Sequence, residues 1–195
     1  MSAALLPGHE RLPTIECGRL RLRWLTRADV PALYAIFSDP EVARYLTRPP
    51  MSEESEASDF LASIERGFAE RSLYQWGMED ASDGRVVGTL TLAHVDAAHR
   101  RAEVGFMLAR DRWGRGYLTE ALPALVRFAF AVLGLHRLEA DADPRNVASI
   151  RALERVGFRR EGYQRERYFQ AGEWQDAILF GLLRHEWAGP RGDAR

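Results

Sequence analysis

Arg101-Ala102-Glu103-Val104-Gly105-Phe106-Met107-Leu108, then Arg112-Trp113-Gly114-Arg115-Gly116-Tyr117, spells a strand, a glycine turn and the start of a helix. In the first segment Ala102, Val104, Phe106 and Leu108 alternate with Arg101, Glu103, Gly105 and Met107, the period of a strand. After Gly116 an apolar-rich helical stretch, Leu118 to about Leu133, ends at Gly134. The first N–H groups of a helix have no partner within it, and the helix dipole adds positive potential there. Gly114 and Gly116 carry no Cβ, so an anion can approach the backbone closely. Arg110, Arg112 and Arg115 add positive charge nearby. A pyrophosphate suits such a turn; a strand-to-helix join that merely needs positive φ would look the same. No Gly-Lys-Ser/Thr follows, which excludes a Walker A loop. Position 119 is Thr where a dinucleotide fingerprint needs its third glycine, and the preceding strands look antiparallel.

Working outward, Leu20, Leu22 and Trp24 alternate with Arg19, Arg21 and Arg23, a strand over 19–25. Thr26 and Asp29 resemble a capping box with Asp in place of Glu, opening a helix to about Phe37. Pro40 breaks the chain. Ser52 is the expected N-cap of a second helix, to about Arg71, with Glu53, Glu54 and Glu56 favouring its dipole. Strands over 73–78, 86–95 and 101–108 form an antiparallel meander, with a turn at Ser82-Asp83-Gly84. Beyond the glycine turn come a strand at 136–142, a helix at 146–156 stopped by Gly157, and strands at 158–167 and 173–183. This order predicts an α/β (α+β) fold: a mixed, mostly antiparallel central sheet of about seven strands flanked by about four helices. One domain is expected over 13–188, with flexible termini at 1–12 and 189–195.

The composition is that of an ordinary globular domain, 46% hydrophobic and 28% charged over 195 residues, enough for one core. A formal net charge of −1 gives no reason to expect nucleic acid. The longest apolar run, Phe128 to Leu135, is too short to span a membrane, and Met1 to Pro7 lacks the features of a signal peptide. The single cysteine, Cys17, excludes an intramolecular disulfide and fits a cytoplasmic location. His9, His94, His99, His136 and His185 show no metal-ligand spacing, and no serine or cysteine nucleophile motif is present.

Four segments together carry a family resemblance: Leu20-Arg-Leu-Arg-Trp24, Ala102-Glu-Val-Gly-Phe106, Trp113-Gly-Arg-Gly-Tyr-Leu-Thr-Glu-Ala121, and Asn146-Val-Ala-Ser-Ile-Arg-Ala-Leu-Glu-Arg-Val-Gly-Phe158. Trp174-Gln-Asp176 and Leu183-Arg-His-Glu-Trp187 add to it. Over about 13–187 the chain resembles the GCN5-related N-acetyltransferase superfamily, in its RimJ/RimL-like branch that acetylates ribosomal-protein N-termini. The resemblance implies the GNAT fold and acetyl-CoA as cofactor. It implies that strands 101–108 and 136–142 splay apart, and that the pantetheine arm lies between them. The residues implied at the cofactor are Phe106, Met107, Leu108, Trp113, Gly114, Arg115, Gly116, Tyr117, Leu118, Thr119, Asn146 and Ser149. Leu118 departs from the small residue the family pattern has there.

Acetyl transfer requires an amine that loses its proton, donors for the developing oxyanion, and a proton or other stabilisation for the thiolate. Glu103 is the first candidate base; read otherwise, it is a surface carboxylate paired with Arg100 or Arg101. By resemblance Ser149 lies beside the CoA sulfur and can donate to the thiolate, or is simply a solvated first-turn serine. Asn146 is also suited to cap its helix. Tyr168 stands where the RimL type has a glutamate base. A phenol, with its ordinary pKa near 10, is a poor base at pH 7 and a fair proton donor. Either Glu103 or Glu166 then supplies the base, or the enzyme relies on amines that arrive deprotonated; read otherwise, Tyr168 is an aromatic lining the pocket. Tyr45, Trp76 and Trp174 are candidates for the acceptor pocket, each with core or hairpin packing as the alternative. The acceptor is expected to be a protein N-terminal amine attacked directly in a ternary complex. A small amine, an antibiotic or polyamine, is the second reading, for which Glu53, Glu54, Glu56 and Asp59 are the only hint. A non-catalytic acyl-CoA-binding module is the third. Dimers are common in the branch, so a homodimer is a further expectation.

Overall fold

A computed structural model describes residues 6, 8–170 and 172–189. The first five strands, β1 (Ile15–Cys17), β2 (Leu20–Arg23), β3 (Tyr74–Asp80), β4 (Val86–Asp96) and β5 (Arg101–Leu108), pair antiparallel with their neighbours. Helices α1 (Val30–Phe37), α2 (Pro40–Ala43) and α3 (Glu54–Ala69) lie between β2 and β3 in the chain. After β5 come α4 (Tyr117–Ala131), β6 (Arg137–Ala142), α5 (Val147–Val156), β7 (Arg159–Gln170) and β8 (Glu173–Leu183). The eight strands form one sheet in the order β1-β2-β3-β4-β5-β6-β8-β7, and only β5 and β6 pair in parallel.

The expected mixed sheet with flanking helices is present, with one strand and one helix more than the sequence pattern discloses. β1 is three residues long, too short for alternation to register. Pro40 starts α2 instead of only breaking the chain. It sits at the first helical position, where its missing N–H costs nothing, and Asp39 Oδ1 accepts from the Glu41 N–H at 2.9 Å. The cap of α3 is Glu53, not Ser52, whose hydroxyl instead donates to Glu56 at 2.7 Å. The Thr26–Asp29 box forms as expected, with the Thr26 N–H donating to Asp29 at 2.8 Å. Arg23 then grips the same carboxylate through two N–H groups at 2.8 and 2.9 Å.

Two cores flank the sheet. The larger joins α4 and α5 to the strands through residues such as Leu122, Leu125, Ile150 and Leu153, with Leu90, Val104, Leu138 and Phe180. The smaller joins α1 and α3 through Val30, Leu33, Leu61 and Ile64, with Leu25 and Val86. It takes no residue from β6, β7 or β8 among those described. The expected loose end over 1–12 includes two anchors, since Leu6 and Leu12 are both buried in the larger core.

Trp76 corrects the acceptor-pocket expectation. It is fully buried in the larger core, its ring edge-on to Phe128 at 5.4 Å and its indole N–H donating to the Pro13 carbonyl at 2.9 Å. Every residue of β3 is buried, so alternation could not tell an inward Trp from a pocket-lining one. Trp76→Ala is expected to cost about 3–5 kcal/mol of stability, read as a lower urea midpoint with an unchanged slope.

Candidate active site

The site begins where β5 and β6 part. Parallel pairing runs through Arg101↔Arg137, Ala102↔Leu138 and Glu103↔Glu139 and goes no further. From there β5 stays with β4, Val104 opposite Leu92 and Leu108 opposite Gly88. β6 stays with β8, Ala140 opposite Phe180 and Ala142 opposite Ile178. The facing edges of 104–108 and 140–142 therefore have no strand partner. Backbone N–H and C=O groups call for partners, and an extended ligand with amides of its own can supply them as an added strand would.

The turn at the end of β5 is tied down from several sides. The Trp113 indole N–H donates to the Leu108 carbonyl at 2.8 Å, holding the turn against the strand while 46% of the residue stays exposed. Gly114 and Gly116 have φ of 71° and 80°, a left-handed conformation that strains any residue with a Cβ. A Cβ built on Gly114 would meet nothing within 4 Å, so the backbone here faces open space. No side chain caps α4; the Thr119 N–H bonds back to the Gly116 carbonyl at 3.0 Å, and the N–H groups of Tyr117 and Leu118 before it suit an outside acceptor. Leu118 packs against the larger core, so the residue that departs from the family pattern is absorbed by packing. Phe106 rests on the same core, Met107 on the smaller one, and Leu108 is buried. Thr119 and Arg115 are exposed, and the Thr119 hydroxyl accepts from Arg155 of α5 at 3.3 Å.

Asp80 and Arg19 hold this turn, and neither stood out in the sequence. The buried Tyr117 phenol donates to Asp80, which also accepts from the Ser82 hydroxyl at 2.7 Å. Arg112 lies 3.4 Å from the same carboxylate and donates to the Tyr117 oxygen at 3.3 Å. Bonds from Tyr117 and Ser82, with the Arg112 charge, hold the Asp80 carboxyl down to about 2. Arg19 lies over the Tyr117 ring at 4.3 Å, bonds to the Arg115 carbonyl and pairs with Glu120 at 3.0 Å.

Across the gap, Asn146 caps α5 as expected, its Oδ1 accepting from the Ser149 N–H at 3.1 Å. Ser149 is half-buried in the first turn of that helix. Arg145 pairs with Asp143 at 2.7 Å, and the Tyr45 hydroxyl donates to the Arg145 carbonyl at 3.4 Å. Tyr45 thus stands beside the loop that leads into α5.

Glu103 lies at the last parallel pair, with 36% of its side chain exposed. Its partner is His94, at 3.1 Å, not Arg100 or Arg101. Arg101 instead pairs with Asp96 at 3.6 Å and Glu139 at 3.4 Å. The Tyr168 phenol donates to Asp141 of β6 and accepts from Arg167 at 2.8 Å. Arg167 lies 3.1 Å from Asp141, and its charge also interacts with Glu103. Burial first, then the bond to Asp141, raise the Tyr168 phenol above its usual range, and its one proton is committed to Asp141. Glu166 is exposed at a bulge in β7, its backbone N–H bonded to Asp176 at 2.8 Å. Trp174, 61% exposed, meets Phe169 at 5.1 Å near the end of the β7–β8 hairpin. Gln170 of that hairpin donates to the Arg48 carbonyl at 3.4 Å. Among the described residues no group of three or more His, Cys, Asp or Glu could hold a metal, and no helix is long and apolar enough to cross a membrane.

The splayed strands and the glycine turn suit an extended ligand that carries amides and ends in an anionic group. The chain belongs to the acetyltransferase (GNAT) domain family, whose family model matches residues 19–159, and it is an acetyl-CoA-dependent N-acetyltransferase. It is 33% identical to the uncharacterized N-acetyltransferase p20 of Bacillus licheniformis, over 91% of this chain and all of that one. It is 26% identical to the spermidine N(1)-acetyltransferase of Escherichia coli K12, over 86% of this chain and 88% of that one. It is also 26% identical to the [ribosomal protein uS5]-alanine N-acetyltransferase of the same organism, over 67% and 68%. Mycobacterium smegmatis RimJ, solved with CoA-disulfide, superposes with a TM-score of 0.83 at 25% identity, over 91% and 90% of the two chains.

The Asp80 anchor has a pH signature. Because its folded value of about 2 lies below the ordinary ~3.9, its contribution to stability is complete above about pH 4 and disappears as pH falls toward about 2. Asp80→Asn should therefore unfold at a lower temperature than the parent at pH 7, with the difference narrowing between about pH 4 and about pH 2. Thermal unfolding followed by tryptophan fluorescence checks this; a constant difference across that range would contradict it.

Proposed function

We propose that the acceptor is a protein N-terminal amine, of the kind ribosomal proteins present, attacking acetyl-CoA directly in a ternary complex. One observation carries the choice: apart from Glu103, which meets His94, the carboxylates of β6, of the loop after it and of the start of β8 are already paired with arginines. Asp141 has Arg167, Asp143 and Glu173 share Arg145 at 2.7 and 3.8 Å, and Glu139 has Arg137 and Arg101. A polycation needs free carboxylates to hold its distal ammonium groups, and these are neutralised. In the α3 region Glu56 is likewise spent, on the cap of its own helix. The similarity to a spermidine acetyltransferase favours the polyamine reading, and it is the second one tested.

The residues present fit acetyl-CoA. The N–H groups at the start of α4 and the open face of Gly114 suit its pyrophosphate, while the unpaired edges of β5 and β6 suit its amides. Acetyl-CoA supplies the activated acyl group and a thiolate leaving group of moderate basicity. In this reading Glu103 removes the amine proton at the mouth of the gap, and the Ser149 hydroxyl donates to the sulfur. Tyr168, its proton engaged with Asp141, walls the acceptor side with Arg167 and serves neither as base nor as free acid. Tyr45 and Trp174 flank the entrance.

A panel of short peptides with free N-termini, together with spermidine, read by thiol release from acetyl-CoA, separates the two acceptors. At least one peptide is expected to turn over faster than spermidine at equal concentration. Preference for spermidine would reverse the assignment. With the preferred amine, Glu103→Gln is expected to lower kcat by about 10²–10⁴ while leaving the acetyl-CoA Kd unchanged by calorimetry.

A further inference from the structure

We propose that His94 is a proton relay that carries the proton taken up by Glu103 out to solvent, an inference that rests on Glu103 acting as the base. Ala93 pairs with Glu103 across β4 and β5, so in a regular strand His94 would point to the opposite face of the sheet. The pairing instead shifts between Ala93 and Asp96, two residues of β4 spanning a single residue of β5, and His94 has a φ of 48°. That bulge re-aims the imidazole, bringing Nδ1 to 3.1 Å from Glu103 Oε2. The His94 side chain is 81% exposed and that of Glu103 36%, so the pair leads from the gap to bulk water.

The step balances without a further reactant. Glu103 takes a proton from the attacking amine, and its O–H bond breaks as Nδ1–H forms on neutral His94. The imidazolium then loses its Nε2 proton to water. Glu103 is a carboxylate again, and ring tautomerisation restores the Nδ1 acceptor. An imidazole has two ring nitrogens, so it can accept a proton at one and release a proton from the other. The charged neighbours are otherwise engaged: His99 with Asp96 at 2.8 Å, Arg101 with Asp96 and Glu139, and Arg167 with Asp141 and Tyr168. A ring that already carries both protons cannot accept another, so turnover declines toward acidic pH.

His94→Asn keeps a residue that tolerates positive φ. It is assayed against pH, with and without added imidazole, using the fastest amine among the panel peptides and spermidine. Expected are a kcat roughly tenfold lower at pH 7, less than the ~10²–10⁴ assigned to the base itself, recovery on adding imidazole, and a changed acid limb of the pH profile. An unchanged kcat and pH profile, or a loss that imidazole does not restore, overturns the relay. Glu103→Gln is run in parallel. If that variant keeps parental turnover, or no amine is acetylated at all, the base reading falls and the relay with it. If it loses turnover while His94→Asn does not, only the relay falls.

Discussion

The parting of β5 from β6 after three residue pairs is the constraint on which the rest of this structure depends. Each strand keeps its outer partner, β4 for one and β8 for the other, while their facing edges part. The sheet stays continuous on the Glu103 side and opens on the Leu108 side. Backbone groups that would be satisfied in an uninterrupted sheet are left for a ligand at that opening. A ligand with amides along its length and an anionic group further on matches this sequence of needs, and coenzyme A has both.

The anion end depends on a second constraint, the positive φ of Gly114 and Gly116 before an uncapped helix. What keeps that turn in place is not local. Asp80 from β3 and Arg19, next to β2, converge on Tyr117, so the turn is fastened to the far half of the sheet. The start of α4 is thereby held to β2 and β3, on the side of the sheet away from the gap. Across the opening α5 offers its own N-terminus with Asn146 as cap, and Arg155 reaches from it to Thr119 of α4.

How much of this the sequence discloses follows from the range of each interaction. Local devices are legible: the alternation of 101–108, the glycine turn, the Thr26–Asp29 box and the Asn146 cap each lie within a few residues. The Asp80–Tyr117 and Arg19–Tyr117 contacts join distant residues and carry no local signature. Trp76 was ambiguous because β3 is buried along its whole length, which erases alternation. Tyr168 was recognisable as a departure from its branch, but only the fold brings it to Asp141 and shows where its proton goes. His94 falls at the end of the expected strand over 86–95, and a bulge that periodicity cannot anticipate turns it onto Glu103.

The central claim is that the open edge of β5 and the start of α4 together hold acetyl-CoA. Hydrogen–deuterium exchange with and without acetyl-CoA tests it at the level of single segments. The account predicts slower exchange on binding in peptides covering 104–108 and 114–119, with little change in β1 and β2. Binding that leaves both segments unprotected, or protects another part of the sheet instead, would contradict it.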